Sequence, residues 1–251
     1  MSFWPFRGLL DVRSVEIRDF LARPEQMKPR LGAGPIERSY FAHDGSVICK
    51  WHHYLPLYDR YFAPYRDNPQ VRLLEIGVFQ GGSLDLWRRF FGPSAIIFGV
   101  DIDPRCKAFD NVHGNRVRIG SQIDPVFLEG VVLEMGGLDI VLDDGSHRAD
   151  HMTRTFDVLF PLLSPGGLYI VEDVHTNYWT KFRGGYRKRS TFIERTKMLI
   201  DDMHHCWHRE GQKIEVARDL VSGLHVHDSL IIIEKNRTGP PVTSLVGTEV
   251  F

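Results

Sequence analysis

The sequence predicts an α/β domain: a doubly wound, mostly parallel sheet with an antiparallel pair at one edge. Three observations carry that expectation. From residue 71 onward, short apolar runs alternate with amphipathic segments. The runs have strand length and the segments between them helix length. Near the end come two further apolar runs with no full helix between them, which favours an antiparallel hairpin over another crossover.

Taken in order, VRLLEI (71–76), AIIFGVD (95–101), RVRIG (116–120), LDIVLD (138–143) and LYIVED (168–173) read as buried strands. Segments 83–90, 124–135 and 150–163 read as helices between them. In the last helix Met152, Phe156, Leu159 and Leu163 recur at helical spacing, and SPGG (164–167) stops it. Such alternation implies βαβ units and a parallel sheet covered on both faces. KIEVARDLV (213–221) and LHVHDSLIIIEK (224–235) are the two runs of the expected hairpin. Residues 1–69 are irregular and rich in aromatics and proline, with helices expected near 14–22 and 54–66. Within them, KWHHYLPLYDRYF (50–62) reads as an amphipathic cap helix. Its His52, His53, Tyr54 and Tyr58 either close a ligand site or simply pack. The chain thus divides into an N-terminal cap region (1–69), a main domain (70–236) and a tail (237–251).

The totals bound the function. The chain has 251 residues, a formal charge of -1 and 43% hydrophobic residues, enough for one large core. Near-neutral charge gives no reason to expect nucleic acid or an anionic membrane as partner. Cys49, Cys106 and Cys206 are scattered and odd in number, against a disulfide framework and for a reducing compartment. The opening MSFWPFRGLL lacks a long apolar region followed by a cleavage site, and no window suits a bilayer span. A cytoplasmic protein is expected, as a homo-oligomer, dimer or larger.

LLEIGVFQGGSLDLW (73–87) follows the first strand and opens a helix. Gly77, Gly81 and Gly82 allow a sharp turn and close approach to a ligand, and Ser83 can cap the helix. With Val78 they make a candidate cofactor loop at the carboxyl end of the sheet. The spacing is not GxGxxG, which speaks against a pyrophosphate. Asp101, in GVDIDP (99–104), stands where an acid could take both hydroxyls of a ribose, in NAD as in other nucleosides. Glu75 suits the ammonium of an amino-acid tail better than a diphosphate. Together these favour S-adenosylmethionine over a dinucleotide. Ser121 and Gln122 either meet the adenine edge or, for Gln122, lie on the surface.

VLDDGSH (141–147) and VEDVH (171–175) end two strands that are neighbours in a doubly wound sheet. Asp144 and the Glu172–Asp173 pair then converge at one edge of the crevice. Three carboxylates in one place are costly unless a cation neutralises them, and oxygen ligands select Mg²⁺ first, with Mn²⁺ or Ca²⁺ as alternatives. The competing reading has these acids capping helices or pairing with Arg148 and Arg154. Asp143 is placed with the cofactor, with the metal as its alternative. His147 is a base, a ligand or a turn residue; with oxygen ligands at hand, the base is preferred. Residues 175–192 form a loop too long for a simple connection. His175, Tyr178, Trp179 and Tyr186 are candidate substrate contacts, the aromatic rings offering flat faces for stacking, with Gly184 and Gly185 as a hinge. The cations of this loop read as a solvated run, and HHCW (204–207) is discounted as a metal tract.

LEIGVFQGGSLDLW, GVDIDP, VLDDGSH, VEDVHTNYW and LHVHDSLIIIEK together resemble the metal-dependent sugar O-methyltransferases of the class I fold. That group includes the macrocin and mycinamicin deoxysugar enzymes, and the mycobacterial methylmannose polysaccharide enzymes are similar. The resemblance covers about residues 45–236, and DDGSH with VEDxH is its specific part. It implies a Rossmann-like domain that binds S-adenosylmethionine through Glu75, Gly77 and Asp101. It further implies Mg²⁺ on Asp144, Glu172 and Asp173, with His147 as base. The expected acceptor is a sugar-containing small molecule or an oligosaccharide. A catechol-like diol would chelate the same ion, and a nucleotide-binding oxidoreductase is the reading from another class.

Overall fold

The structure, a computed structural model, describes residues 20–68, 70–209, 220–236 and 239–248. Its centre is a seven-stranded sheet of order β3-β2-β1-β4-β5-β7-β6. The strands are β1 (Arg72–Ile76), β2 (Ile96–Asp101), β3 (Arg116–Ile119), β4 (Ile140–Asp143), β5 (Gly167–Val171), β6 (Val221–His227) and β7 (Leu230–Lys235). The first five run parallel, β7 is antiparallel to β5, and β6 is antiparallel to β7. All five expected parallel strands are present, each within two residues of its expected ends. Among the described residues, no helix is long and apolar enough to cross a membrane.

The hairpin differs from the one expected. Residues 213–219 lie outside the described residues, and both strands come from 221–235. Asp228 and Ser229 make a two-residue turn inside what reads as a single apolar run. Ser229 adopts the left-handed backbone there, with φ 65°. The helix expected near 14–22 falls almost wholly outside the described residues.

Among the described residues six α-helices cover the sheet: α1 (Pro35–Phe41), α2 (Leu55–Phe62), α3 (Gly82–Phe91), α4 (Pro125–Met135), α5 (Ala149–Leu159) and α6 (Phe192–Met203). α2 starts at Leu55 and not at residue 50, with Pro56 in its first turn, where a missing N–H costs nothing. α5 ends at Leu159 and continues as a 3₁₀ turn through Pro161, shorter than the periodicity suggests.

Side chains alternate across each strand, so the sheet has two cores. Leu73, Ile97, Ile140, Leu142 and Ile170 meet Trp87 of α3 and Tyr58 and Phe62 of α2 on one face. Leu74, Val141, Tyr169 and Val171 meet Leu128, Phe156 and Leu199 of α4, α5 and α6 on the other. The N-terminal segment therefore shares a core with the sheet. Gly82 shows how tightly it docks: a Cβ there would lie 2.2 Å from the carbonyl oxygen of Ser46. Gly82→Ala is expected to cost about 1–3 kcal/mol by overpacking. A thermal melt identical to wild type would show that residues 46–48 are not held against α3.

Candidate active site

Parallel strands bring their carboxyl ends to one edge, and here three of them finish in acids. Ile76 of β1 lies beside Asp143 of β4, and Asp143 beside Val171 of β5. The next residues, Gly77, Asp144 and Glu172, therefore stand abreast at the crevice. Gly77 is required there: its φ is 94°, and a Cβ would sit 2.2 Å from the Asp144 carbonyl oxygen.

Strand alternation puts Glu75 and Glu172 on the face covered by the N-terminal segment, and both are buried. Between them lies Lys50, whose side chain is 1% exposed. Its Nζ is 2.6 Å from Asp144 Oδ2, 2.6 Å from Glu172 Oε1 and 3.5 Å from Glu75 Oε1. Burial works against the charge on Lys50, but the Asp144, Glu172 and Glu75 carboxylates outweigh it and raise its pKa well above the ordinary value. Burial raises Glu75 to about 7, against the pull of Lys50. Burial also raises Asp144, and raises Glu172 well above its usual range, where the Asp144 charge adds to the effect.

Asp144, His147 and Asp173 form the cluster that faces the crevice. Each offers one ligand atom, and these atoms all lie within 4.8 Å of one another. His147 Nε2 is 3.9 Å from Asp144 Oδ1 and 3.8 Å from Asp173 Oδ2, too far for hydrogen bonds. Both His147 and Asp173 hold left-handed backbone, with φ 56° and 55°. The Thr176 hydroxyl fixes that corner by donating to the His147 carbonyl at 2.8 Å. Two carboxylate oxygens at this spacing fit a hard six-coordinate cation with bonds of about 2.0–2.1 Å. The charge also fits: Glu75, Asp144, Glu172 and Asp173 converge, and the ammonium among them is that of Lys50. Glu172, expected beside Asp144 and Asp173, is turned to Lys50 and is not part of the three-residue cluster.

Asp143 points to the opposite face. It accepts from Gln122 Nε2 at 3.2 Å and from the Tyr169 hydroxyl at 3.4 Å, and burial pushes it up to about 7. Gln122 is 8% exposed, which overturns its surface reading. Its amide also donates to Thr155 Oγ1 at 3.0 Å and accepts from Ser146 N at 2.8 Å, so it ties the third strand's loop to the fourth's. Ser121, beside it, is partly exposed.

At the expected cofactor loop, Asp101 Oδ2 accepts from the amides of Val78 and Phe79 at 2.9 and 3.1 Å. Oδ1 accepts from Asp103 N at 2.9 Å. Oδ2 thus accepts two bonds and Oδ1 one, so Oδ1 keeps a lone pair for one hydroxyl of a diol. Glu75, fully buried, accepts from Ser83 Oγ at 2.8 Å, and the ammonium that it meets is that of Lys50. Ser83 is thereby tied to the sheet and does not act as the N-cap, which is Gly81.

The 175–192 segment is two 3₁₀ turns, Val174–Tyr178 and Thr180–Phe182, leading into α6. Asn177 anchors it by accepting from Phe192 N at 2.7 Å. The His175 ring packs edge-on against Trp179 and Trp51, at 4.9 and 6.0 Å between centroids, and bonds Ser229 Oγ. Tyr178 and Tyr186 are exposed. The segment HHCW joins no metal cluster among the described residues.

Sequence reasoning missed Lys50 and Trp51. Trp51 Nε1 donates to Asp173 Oδ1 at 2.9 Å, and the Tyr54 hydroxyl reaches the same oxygen at 2.9 Å. Nothing in KWHHY marks these residues, since Asp144 lies 94 positions from Lys50, and Glu172 and Asp173 lie 122 positions from Lys50 and Trp51.

No protein-family model matches the chain. It is 38% identical over 199 residues to an 8-demethyl-8-alpha-L-rhamnosyl tetracenomycin-C 2'-O-methyltransferase of Streptomyces olivaceus, covering 74% of this chain and 51% of that protein. It is 39% identical over 203 residues to the mycinamicin VI 2''-O-methyltransferase of Micromonospora griseorubida, covering 74% and 49%. A structure of MycE from mycinamycin biosynthesis, in complex with Mg and SAH, superposes with a TM-score of 0.70 at 37% identity over 76% of this chain and 51% of that one. The chain thus spans about half the length of these relatives. Over the matched part the chain is similar in sequence to these sugar O-methyltransferases, and its mostly parallel sheet with antiparallel final strands has the class I methyltransferase fold.

Proposed function

We propose that this protein is an S-adenosylmethionine- and Mg²⁺-dependent O-methyltransferase acting on a sugar hydroxyl of a natural product. The observation that carries the reading is the Asp144, His147 and Asp173 cluster at the carboxyl end of a methyltransferase sheet. MycE, 37% identical, is described in complex with Mg and SAH, and with mycinamycin VI.

Asp144 and Asp173 would hold the cation, with Glu172 behind them, and the ion's chemistry is to acidify a hydroxyl and fix a vicinal pair. Asp101 and the 77–83 loop would hold the cofactor, which supplies an electrophilic methyl group. The chain's own contribution is alignment and proton removal. His147 Nε2 faces the gap between the two aspartates, where it could take the acceptor's proton as the methyl passes from the cofactor's sulfur to the acceptor oxygen, leaving the neutral thioether. Asp144 and Asp173 hold the ring's surroundings negative, which stabilises the imidazolium that results. Tyr178 and Tyr186 offer exposed rings on which a sugar can stack.

The test is a transfer screen over deoxysugar glycosides and catechols, with and without EDTA. Transfer to a glycoside that EDTA abolishes and Mg²⁺ restores supports the reading. Turnover of catechols alone replaces the acceptor, and full activity in EDTA returns the acids to a structural role. S-adenosylhomocysteine at about 100 times its Kd should raise the melting temperature by on the order of 5–10 °C. A shift with NAD and none with S-adenosylhomocysteine would overturn the cofactor assignment.

A further inference from the structure

Asp173 reaches the cluster with one oxygen already engaged. Trp51 Nε1–H donates to Oδ1 at 2.9 Å, and the Tyr54 hydroxyl lies 2.9 Å from the same atom. That hydroxyl also lies 2.9 Å from the Ser229 carbonyl and accepts the Asp173 N–H at 3.2 Å. Its single proton is shared between two acceptors, whereas the indole proton has one. Oδ2, the other oxygen, faces His147 Nε2 at 3.8 Å. A carboxylate pivots easily about its last torsion, so an unrestrained Asp173 could present either oxygen or neither.

We propose that Trp51 and Tyr54 are positioning residues of the metal centre, which fix Asp173 with Oδ2 turned to the cation. This rests on the metal reading above, and it adds a role for the segment preceding α2, which the sheet motifs do not contain. Neutral donors suit the task. They orient the carboxylate without adding positive charge beside a divalent ion, and Lys50 already supplies one. Hydrogen-bond partners that hold a metal ligand this way commonly contribute about 10–100-fold to metal affinity.

The experiment is a Mn²⁺ titration of the protein without cofactor or acceptor, read by calorimetry and by the electron paramagnetic resonance of free and bound ion. Trp51→Phe and Tyr54→Phe should each weaken Mn²⁺ by about 10-fold or more. S-adenosylhomocysteine binding should remain as in wild type. A purely structural role would lower the melting temperature without moving the ion's affinity. Trp51 is partly exposed, so Trp51→Phe serves even if Tyr54→Phe, at a fully buried ring, fails to fold. Mn²⁺ bound within twofold of wild type by Trp51→Phe overturns the inference and leaves the metal reading intact. No Mn²⁺ bound by wild type removes both.

Discussion

His147→Ala should keep its affinity for Mg²⁺ and S-adenosylhomocysteine while losing about 10²–10⁴-fold in methyl transfer. The variant separates the two roles open to this ring. A ligand would sit at bonding distance from a shared ion, a base at the rim facing the acceptor. His147 Nε2 lies at nearly equal distances from Asp144 Oδ1 and Asp173 Oδ2 and bonds neither. Two carboxylate oxygens and waters can satisfy Mg²⁺, which usually keeps several waters, so the imidazole remains for proton transfer. The residual rate of the variant should rise with pH, as solvent hydroxide takes over deprotonation of the acceptor. Calorimetry with Mg²⁺ and a pH–rate profile decide it. Loss of metal binding in a folded His147→Ala protein makes the ring a ligand and leaves the base to be found elsewhere.

Lys50→Met should destabilise the metal-free protein by about 3–5 kcal/mol, because removing one partner strands buried charge. The stranded groups would be Glu75, Asp144 and Glu172, which one ammonium now joins across three strand ends. For a chain of this size the melting temperature should fall by on the order of 10 °C. Mg²⁺ should then stabilise the variant more than it stabilises wild type, since a divalent ion replaces the missing charge next to Asp144. The measurement is a pair of thermal melts for each protein, with EDTA and with Mg²⁺. A variant as stable as wild type in EDTA would show that the three acids fold protonated and need no counterion.

The sheet was legible because its signal is local. Each of the first five strands is an apolar run bounded by a turn or a helix, and that pattern survives without knowledge of its neighbours. Adjacency of the fourth and fifth strands followed from the winding rule, and with it the approach of Asp144 to Asp173. The final hairpin was misplaced because LHVHDSLIIIEK carries one hydropathy signal across two strands. Only the Asp228–Ser229 turn divides it, and neither residue is glycine or asparagine. Gln122 illustrates a different failure: an isolated glutamine in a loop gives no sign that both ends of its amide are bonded inside the protein.

The sequence by itself determined the parallel sheet, the loop of glycines after β1, and the acids that end β4 and β5. Strand periodicity and motif spacing are properties of neighbours along the chain, and neighbours along the chain are what a sequence displays. Only the tertiary structure decided which oxygen of each acid is free. Lys50 takes Asp144 Oδ2 and Glu172 Oε1, while Trp51 and Tyr54 take Asp173 Oδ1. What remains, Asp144 Oδ1 and Asp173 Oδ2 beside His147, is the site. That selection depends on packing between segments 94 to 122 residues apart, where an ammonium, an indole and a phenol meet carboxylates that no sequence window holds together.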